Sequence, residues 1–470
     1  MTSAWKRITL MELSPSQWRG ASFVYHFVGF LSRWRSESWL LQWAEPLGAL
    51  LICLVLALSP FVSTGLIGIL LLACGGYWLL LTLSDDDWPS ITPIHLLVLL
   101  YWGIATIAVA FSPVRAAAFE GWVKLTLYLV MFALTARVLR SPRLTSMIIT
   151  VYLLTALVVS IYGVRQEMFG VEQLATWNDP TSDLAGDTRV YSYLGNPNLL
   201  ASYLLPAIAL SAAAVFVWQG WLQKALALTL FFVNTACLYY TDSRGGWIGM
   251  MGLSLVFLLL LYYWFKDSLS PFWQKWLLPL VLGTLAAFVI LAMIMVEPLR
   301  IRVMSIFAGR EDSSNNFRMN VWASVIKMIK AYPIIGIGPG NEAFNKVYPL
   351  FMHPKYSALS AYSVLLEIMV ETGVIGLSCF VWLLVVTFNQ GVRQIGLLRQ
   401  QRNLQGFWLI AAIATMAGML AHGFVDTVWY RPQIASLWWL MVALIASHYS
   451  GVIPKNSPKK VKDGLSSHRL

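Results

Sequence analysis

Charge is what this chain has least of. Asp, Glu, Lys and Arg make up only 12% of its 470 residues, about half the share usual in a soluble domain. Set against 58% hydrophobic residues, this leaves too little polar surface to cover a water-soluble globule, so lipid is the expected solvent. Cysteine is scarce as well. Cys53, Cys74, Cys237 and Cys379 lie inside apolar stretches, without the spacing of a disulfide framework or a thiolate metal site, and read as small apolar fillers. No short apolar core precedes a small-residue cleavage site at the N-terminus, so a cleavable signal is not expected. Neither a metal nor a cofactor is implied.

What is present is long apolar runs. A spanning helix needs roughly 20 predominantly apolar residues, and such runs fall near 45–62, 64–83, 93–112, 117–138, 146–166, 198–218, 222–241, 245–265, 276–297, 359–388, 405–425 and 432–449. They predict an all-α polytopic membrane protein of about 12 transmembrane helices. The run at 359–388 is longer than one crossing requires, so its ends must tilt or protrude. Residues 16–42 interleave Trp18, Phe23, Phe27, Phe30, Leu31 and Trp34 with Arg19, Arg33 and Arg35, the pattern of a helix lying in the membrane interface.

The net charge of +11 has a topological explanation that needs no nucleic acid. With an even number of spans both termini share a side. If that side is the cytoplasm, the short inner loops hold Arg137, Arg140, Arg143, Lys224, Lys266, Lys275, Arg393, Arg399 and Arg402, and the short outer loops only Arg115, Arg244 and Arg431. The positive-inside rule selects this orientation and with it an inner-membrane, multi-pass protein. The expected organisation is a basic interfacial segment at 1–44, spans 1–9 at 45–297, an external loop at 298–358, spans 10–12 at 359–450 and a basic cytoplasmic tail at 451–470. A second external segment, 167–197, contains Asp183 and Asp187. Long loops in so apolar a chain carry or shield the function.

Arginine is conspicuous on the outer side. Arg244, in Thr241-Asp242-Ser243-Arg244-Gly245-Gly246-Trp247, opens the eighth span, where the helix dipole is already positive. An anion would relieve that, with Gly245-Gly246 letting it approach free backbone N–H groups; the plainer reading pairs Arg244 with Asp242. In the external loop, Asn315 or Asn316 suits an N-cap, and Phe317, Val321, Ile326 and Ile329 follow at near-helical spacing. This predicts an amphipathic helix over the bundle, ending at Tyr332-Pro333 with Arg318 in its first turn. Two arginines set against their local dipoles point to one shared anionic ligand. Arg300, Arg302 and Arg310 add to the basic character of the loop. Arg189 and Asn196-Pro197-Asn198 precede the sixth span, where the asparagines suit either helix capping or the same site. Gly336-Ile337-Gly338-Pro339-Gly340-Asn341 lacks the strand and the Lys-Ser/Thr of a nucleotide loop and reads as a tight turn.

Ionisable residues at membrane depth are candidates for function. Glu120 and Lys124, four apart, suit a self-neutralising pair. Glu367 and Glu371 share one helix face. His422 and Asp426 have the same spacing, which suits either a general-base arrangement or an ordinary buried pair.

Taken in order, Arg189…Asn196-Pro197-Asn198, Ser243-Arg244-Gly245-Gly246-Trp247, the Arg318 helix, Gly336–Asn341 and Glu371-Thr372-Gly373-Val374-Ile375-Gly376 resemble the O-antigen ligase and polymerase superfamily (the Wzy/WaaL group) over nearly the whole chain. Ser313-Ser314-Asn315-Asn316-Phe317-Arg318 and Thr427-Val428-Trp429-Tyr430-Arg431-Pro432 more closely resemble the cyanobacterial IctB family, named as inorganic-carbon (bicarbonate) transporters. The superfamily resemblance implies a glycan ligase or polymerase. Its substrate would be a polyprenyl-diphosphate-linked glycan at the periplasmic face, with external arginines holding the diphosphate and the histidine of a His-Asn motif activating the acceptor. Arg244 and Arg318 match the arginine positions. The histidine does not carry over: Tyr362 stands in its place, followed by Ser363, and a phenol with a pKa near 10 is a poor base at neutral pH. His422 with Asp426 is the alternative base. Three readings stand: a glycan ligase or polymerase, a bicarbonate transporter, and an accessory protein that kept the fold without the chemistry. No inverted repeat of the kind common in transporters is visible.

Overall fold

The computed structural model describes residues 3–11, 30–85, 91–172 and 189–449. Among them there is no strand, and ten helices are long and apolar enough to cross a membrane. An all-α polytopic membrane protein is therefore what the chain builds. In chain order, α1 (Ala44–Leu58), α2 (Thr64–Ser84), α3 (Pro93–Phe111), α4 (Arg115–Val138) and α5 (Pro142–Phe169) are followed by α6 (Pro197–Val217), α7 (Trp221–Tyr240), α8 (Arg244–Phe265) and α9 (Pro271–Met295). The segment between α9 and the next long helix holds α10 (Glu297–Phe307), α11 (Ser313–Ala331) and the short α12 (Asn341–Val347). The chain then returns through α13 (Val364–Gln400), α14 (Gly406–Gly423) and α15 (Pro432–Ser447).

Two expected spans are short. α1 has 15 residues and α15 has 16, about 24 Å at 1.5 Å per residue, against a hydrocarbon core of about 30 Å. α6 and α14 form the inside of the bundle, with 78% and 83% of their most apolar windows buried, whereas none of the corresponding window of α9 is buried. α14 packs against α8 and α6, and α15 against α4. All four cysteines are buried and unbridged. Of the interfacial segment expected at 16–42, residues 16–29 lie outside the described residues, and the rest includes the short helices Ser32–Glu37 and Trp39–Gln42. Asp183, Asp187 and the 451–470 tail also lie outside them.

The long run near 359–388 resolves into a broken helix. α13 starts at Val364 and is interrupted at Gly373, whose φ of 66° and ψ of −169° are non-helical. The cause is the Gly336–Asn341 turn, which wedges against it. The amides of Ile337 and Gly338 donate to the Val370 and Glu371 carbonyls at 2.8 and 2.9 Å, and the Val374 amide donates to the Pro333 carbonyl at 2.9 Å. A Cβ on Gly373 would stand 2.1 Å from the Ile334 oxygen, and one on Gly340 would stand 2.5 Å from the Cα of Gly121 in α4. Only glycine permits these backbones to touch in this conformation. The motif is thus a turn that splices the α10–α12 segment onto α4 and α13.

α11 is the expected amphipathic helix. It buries Val321, Ser324, Val325, Met328 and Ile329, an i, i+3, i+4, i+7, i+8 stripe, over Ala117 and Ala118 at the start of α4. Three details differ from the sequence reading. Its cap is Asp312, whose carboxylate accepts from the Asn315 amide at 2.8 Å, rather than Asn315 or Asn316. Ile326 faces outward. Arg318 accordingly sits in the second turn, beyond the strongest part of the dipole.

Candidate functional site

At the end of the bundle where α6, α8 and α11 begin, four arginines and three aspartates meet. The chain enters α8 through Asp242, in the left-handed region at φ 53°. This turns its carbonyl outward, where it accepts from Arg302 Nη2 at 2.8 Å and from Arg189 Nη2 at 3.4 Å. The Asp242 carboxylate pairs with Arg302 Nη2 at 2.9 Å. Arg244 therefore does not pair with its neighbour Asp242. Its Nη1 reaches Asp312, the cap of α11, at 2.9 Å, and donates to Ser305 Oγ of α10 at 3.1 Å. Arg302 and Arg244 thus tie the α10–α12 segment to the bundle.

The glycines after Arg244 serve a different purpose from the one their sequence suggested. The Gly246 amide donates to the Ser243 cap at 3.1 Å. A Cβ on Gly245 would stand 2.7 Å from the His422 ring, and one on Gly246 would stand 2.6 Å from Ala201. They let α8 press against α14 and α6, and an anion has no path to them.

Asn196 caps α6 by accepting from the Asn198 amide at 2.8 Å. Asn198 itself is a cross-brace. Its amide nitrogen donates to Asp426 Oδ2 at 2.5 Å and its oxygen accepts from Ser243 Oγ at 2.7 Å, while the other Asp426 oxygen accepts from the Thr427 amide at 2.8 Å. The chain segments entering α6 and α8 and leaving α14 are locked together by one side chain.

Arg318 is the exception in this cluster. It makes no hydrogen bond or ion pair with any described residue, although it lies in the electrostatic fields of Asp426, Arg244, Asp312 and Tyr362. Burial pulls its pKa below the usual arginine value, opposed by the attraction of Asp426 and aided by the charge of Arg244. Arg189 is pulled down to about 10 by burial and then by Arg302. Both are still cations at neutral pH. A recessed, unneutralised guanidinium is expensive to keep, and its stability rises when an anion arrives.

Tyr362 stands beside it, with its backbone at φ 49°, a conformation that costs a non-glycine residue of order 1 kcal/mol. Trp322 Nε1 holds its carbonyl at 3.3 Å, and Phe317 packs edge-on against its ring at 5.5 Å. Burial, then Asp426, pushes the phenol up to about 12, so at neutral pH it is a hydrogen-bond donor. His422 is fully buried, and neither ring nitrogen has a hydrogen-bond partner among the described residues. It lies in the field of Asp426 and Arg318, but the hydrogen-bonded His422–Asp426 pair suggested by the spacing is not formed. Asp426 is committed to Asn198 and Thr427.

Arg189, Asn198, Arg244, Arg318, Tyr362, His422 and Asp426 thus converge on one end of the bundle. Residues 225–381 match the O-antigen ligase family model. That stretch is about one third of the chain and runs from α7 to the middle of α13. It contains Arg244, Arg302, Arg318 and Tyr362, and in it the chain is similar to O-antigen ligases. Together with the helical fold, the match supports a ligase- or polymerase-like, multi-pass membrane protein. A search of curated proteins gave no match.

Sequence reasoning missed Asp312 and Ser305, the partners of Arg244, and counted Arg302 only as a spare base. For Asp312 a signal existed, since an aspartate three residues before Asn315 is a strong cap. For Ser305 none did.

Proposed function

We propose that the arginine cluster holds the diphosphate of a polyprenyl-diphosphate-linked glycan at the periplasmic face, for glycosyl transfer to a saccharide or lipid acceptor. The observation that carries this reading is Arg318, recessed beside three other arginines and making no hydrogen bond or ion pair with any described residue. In glycosyl transfer the acceptor hydroxyl attacks the anomeric carbon and the diphosphate leaves with additional negative charge. Preorganised cations at the leaving group lower that barrier. Arg318 and Arg244 fill this role, with Arg189 and Arg302 shaping the site through Asp242. Tyr362 donates to a phosphate or sugar oxygen. Asp426, in the field of Arg318, keeps a second lone pair on each oxygen beyond its bonds to Asn198 and Thr427 and is the candidate to take the acceptor proton, with His422 behind it. The proposed orientation places this end outside and the Arg137 end in the cytoplasm, in keeping with the distribution of basic loop residues.

The test uses full-length protein in lipid nanodiscs with geranyl diphosphate as a soluble prenyl diphosphate. Binding weakened about 10–100-fold in Arg318→Ala, the loss of one or two strong charged contacts, is the expected result. The same guanidinium chemistry suits bicarbonate, so hydrogencarbonate competition and labelled uptake into proteoliposomes form the second arm. Uptake abolished by Arg244→Ala, with no geranyl diphosphate binding, overturns the glycan reading in favour of transport. Geranyl diphosphate binding without glycan transfer to any acceptor would leave an accessory protein of the same fold.

A further inference from the structure

A second site lies beyond the arginines. A cavity of about 180 Å³ opens between α4, the glycine turn, the start of α13 and α15. Its wall includes Thr427, the residue after Asp426, and Tyr430. It therefore adjoins the cluster described above along the chain, yet it contains none of those arginines.

Its polar groups come from residues that looked unrelated in the sequence. Lys124 does not pair with Glu120. It makes no ion pair with any described residue and lines the cavity together with Glu367 and Glu371. The Glu371 carboxylate accepts from the Gly340 amide at 2.6 Å. Glu367 is 6% exposed; one of its oxygens accepts from the Ala361 amide at 2.6 Å, and the other has no partner. Opposite stand Trp429 and Trp438, ring centroids 4.0 Å apart, whose indole N–H groups are likewise without partners among the described residues.

This combination restricts the ligand. A monatomic cation would share the wall with the Lys124 ammonium, which repels it. An anion would face two carboxylates. An alkyl chain would leave one Glu367 oxygen and the Trp429 and Trp438 indole N–H groups unsatisfied, which buried polar groups do not tolerate cheaply. A hydroxylated ring satisfies each requirement. Its hydroxyls donate to Glu367 and Glu371 and accept from Lys124 and the indoles, and its apolar C–H face lies on the aromatic wall. The volume equals on the order of six waters at about 30 Å³ each, enough for one such ring.

We propose that this cavity is a saccharide subsite that takes one sugar ring of the glycan or acceptor, with Lys124, Glu367 and Glu371 reading its hydroxyls. The identity of that ring as part of the transferred chain rests on the function proposed above; the recognition chemistry does not. The test is saturation-transfer NMR on full-length protein in nanodiscs, with the methyl glycosides of glucose, galactose and N-acetylglucosamine. At least one glycoside is expected to bind. Lys124→Met, which removes a side chain with no partner and so spares the fold, and Glu367→Gln should each weaken it about tenfold, roughly one polar contact. Arg318→Ala should leave glycoside binding unchanged while weakening geranyl diphosphate. If no glycoside binds to folded wild-type protein, or if binding survives both cavity substitutions, the subsite is wrong. Glycoside binding without geranyl diphosphate binding refutes only the arginine site, and the reverse result refutes only the cavity.

Discussion

The two ends of the bundle treat arginine in opposite ways. At the C-terminal end of α4, Arg137 is saturated. Its Nε donates to Glu45 at 2.9 Å and its Nη2 donates to Asp85 at 3.2 Å, with Nη1 on the other Asp85 oxygen. Arg35 reaches the same aspartate. About 30 Å away along α4, at 1.5 Å per residue, Ala117 and Ala118 carry α11, and there Arg318 bonds no acid among the described residues. Both arginines are largely withdrawn from solvent, so the difference lies in compensation. The first closes α1, α2 and α4 together and leaves no valence for a ligand. The second keeps its donors unspent beside further cations, which the fold has reason to tolerate only if an anion is to come.

This contrast can be broken experimentally, and the largest effect should come from the saturated end. Arg137→Ala leaves Asp85 and Glu45 without their shared cation and should cost about 3–5 kcal/mol of stability, as removal of one member of a buried ion network does. Thermal unfolding of the full-length protein measures it, and a shift no larger than that of a surface substitution would erase the distinction. Arg318→Ala should do the reverse. Its unfolding temperature without ligand stays level or rises, while stabilisation by geranyl diphosphate falls by about 1.4–2.8 kcal/mol, equivalent to a 10–100-fold loss of affinity. Asn198→Ala is intermediate. It strips a partner from both Ser243 and Asp426 and should cost about 1–3 kcal/mol in unfolding, with a loss of ligand stabilisation as the mouths of α6 and α8 part. Smallest is Tyr362→Phe. Since burial pushes that phenol up to about 12, it serves only as a donor. Its removal should weaken binding by about 1 kcal/mol and leave the pH dependence around neutrality unchanged; a profile that moves would make Tyr362 a titrating group.

The fold was legible in the sequence because the hydrophobic runs are long and their breaks are chemically sharp, as at Ser112-Pro113 and Gly220. α11 was legible from its stripe. What escaped were features set by partners distant in the chain. Nothing near residue 373 announces a break; the glycine yields because Ile334 presses its carbonyl there. Gly245-Gly246 suggests an anion loop until the His422 ring is seen packed on it. Local spacing suggested Asp242 with Arg244, His422 with Asp426 and Glu120 with Lys124. None of the three pairs forms among the described residues: Asp242 bonds Arg302 and Arg244 bonds Asp312, Asp426 is taken by Asn198 and Thr427, and Lys124 turns to a cavity lined by Glu367 and Glu371. The sharing of one anion by Arg244 and Arg318 was inferred from their placement against local helix dipoles, and the structure brings both, with Arg189, within reach of one another's charge.

The central claim is that Arg318 and Arg244 share one anionic guest. The most direct measurement is an experimental density map of the protein in nanodiscs with geranyl diphosphate. The account predicts diphosphate density within hydrogen-bond distance of the Arg318 guanidinium, bordered by Arg244 and Tyr362. Diphosphate bound elsewhere, or a map in which an acidic side chain neutralises Arg318 while the ligand is absent from its neighbourhood, would contradict it.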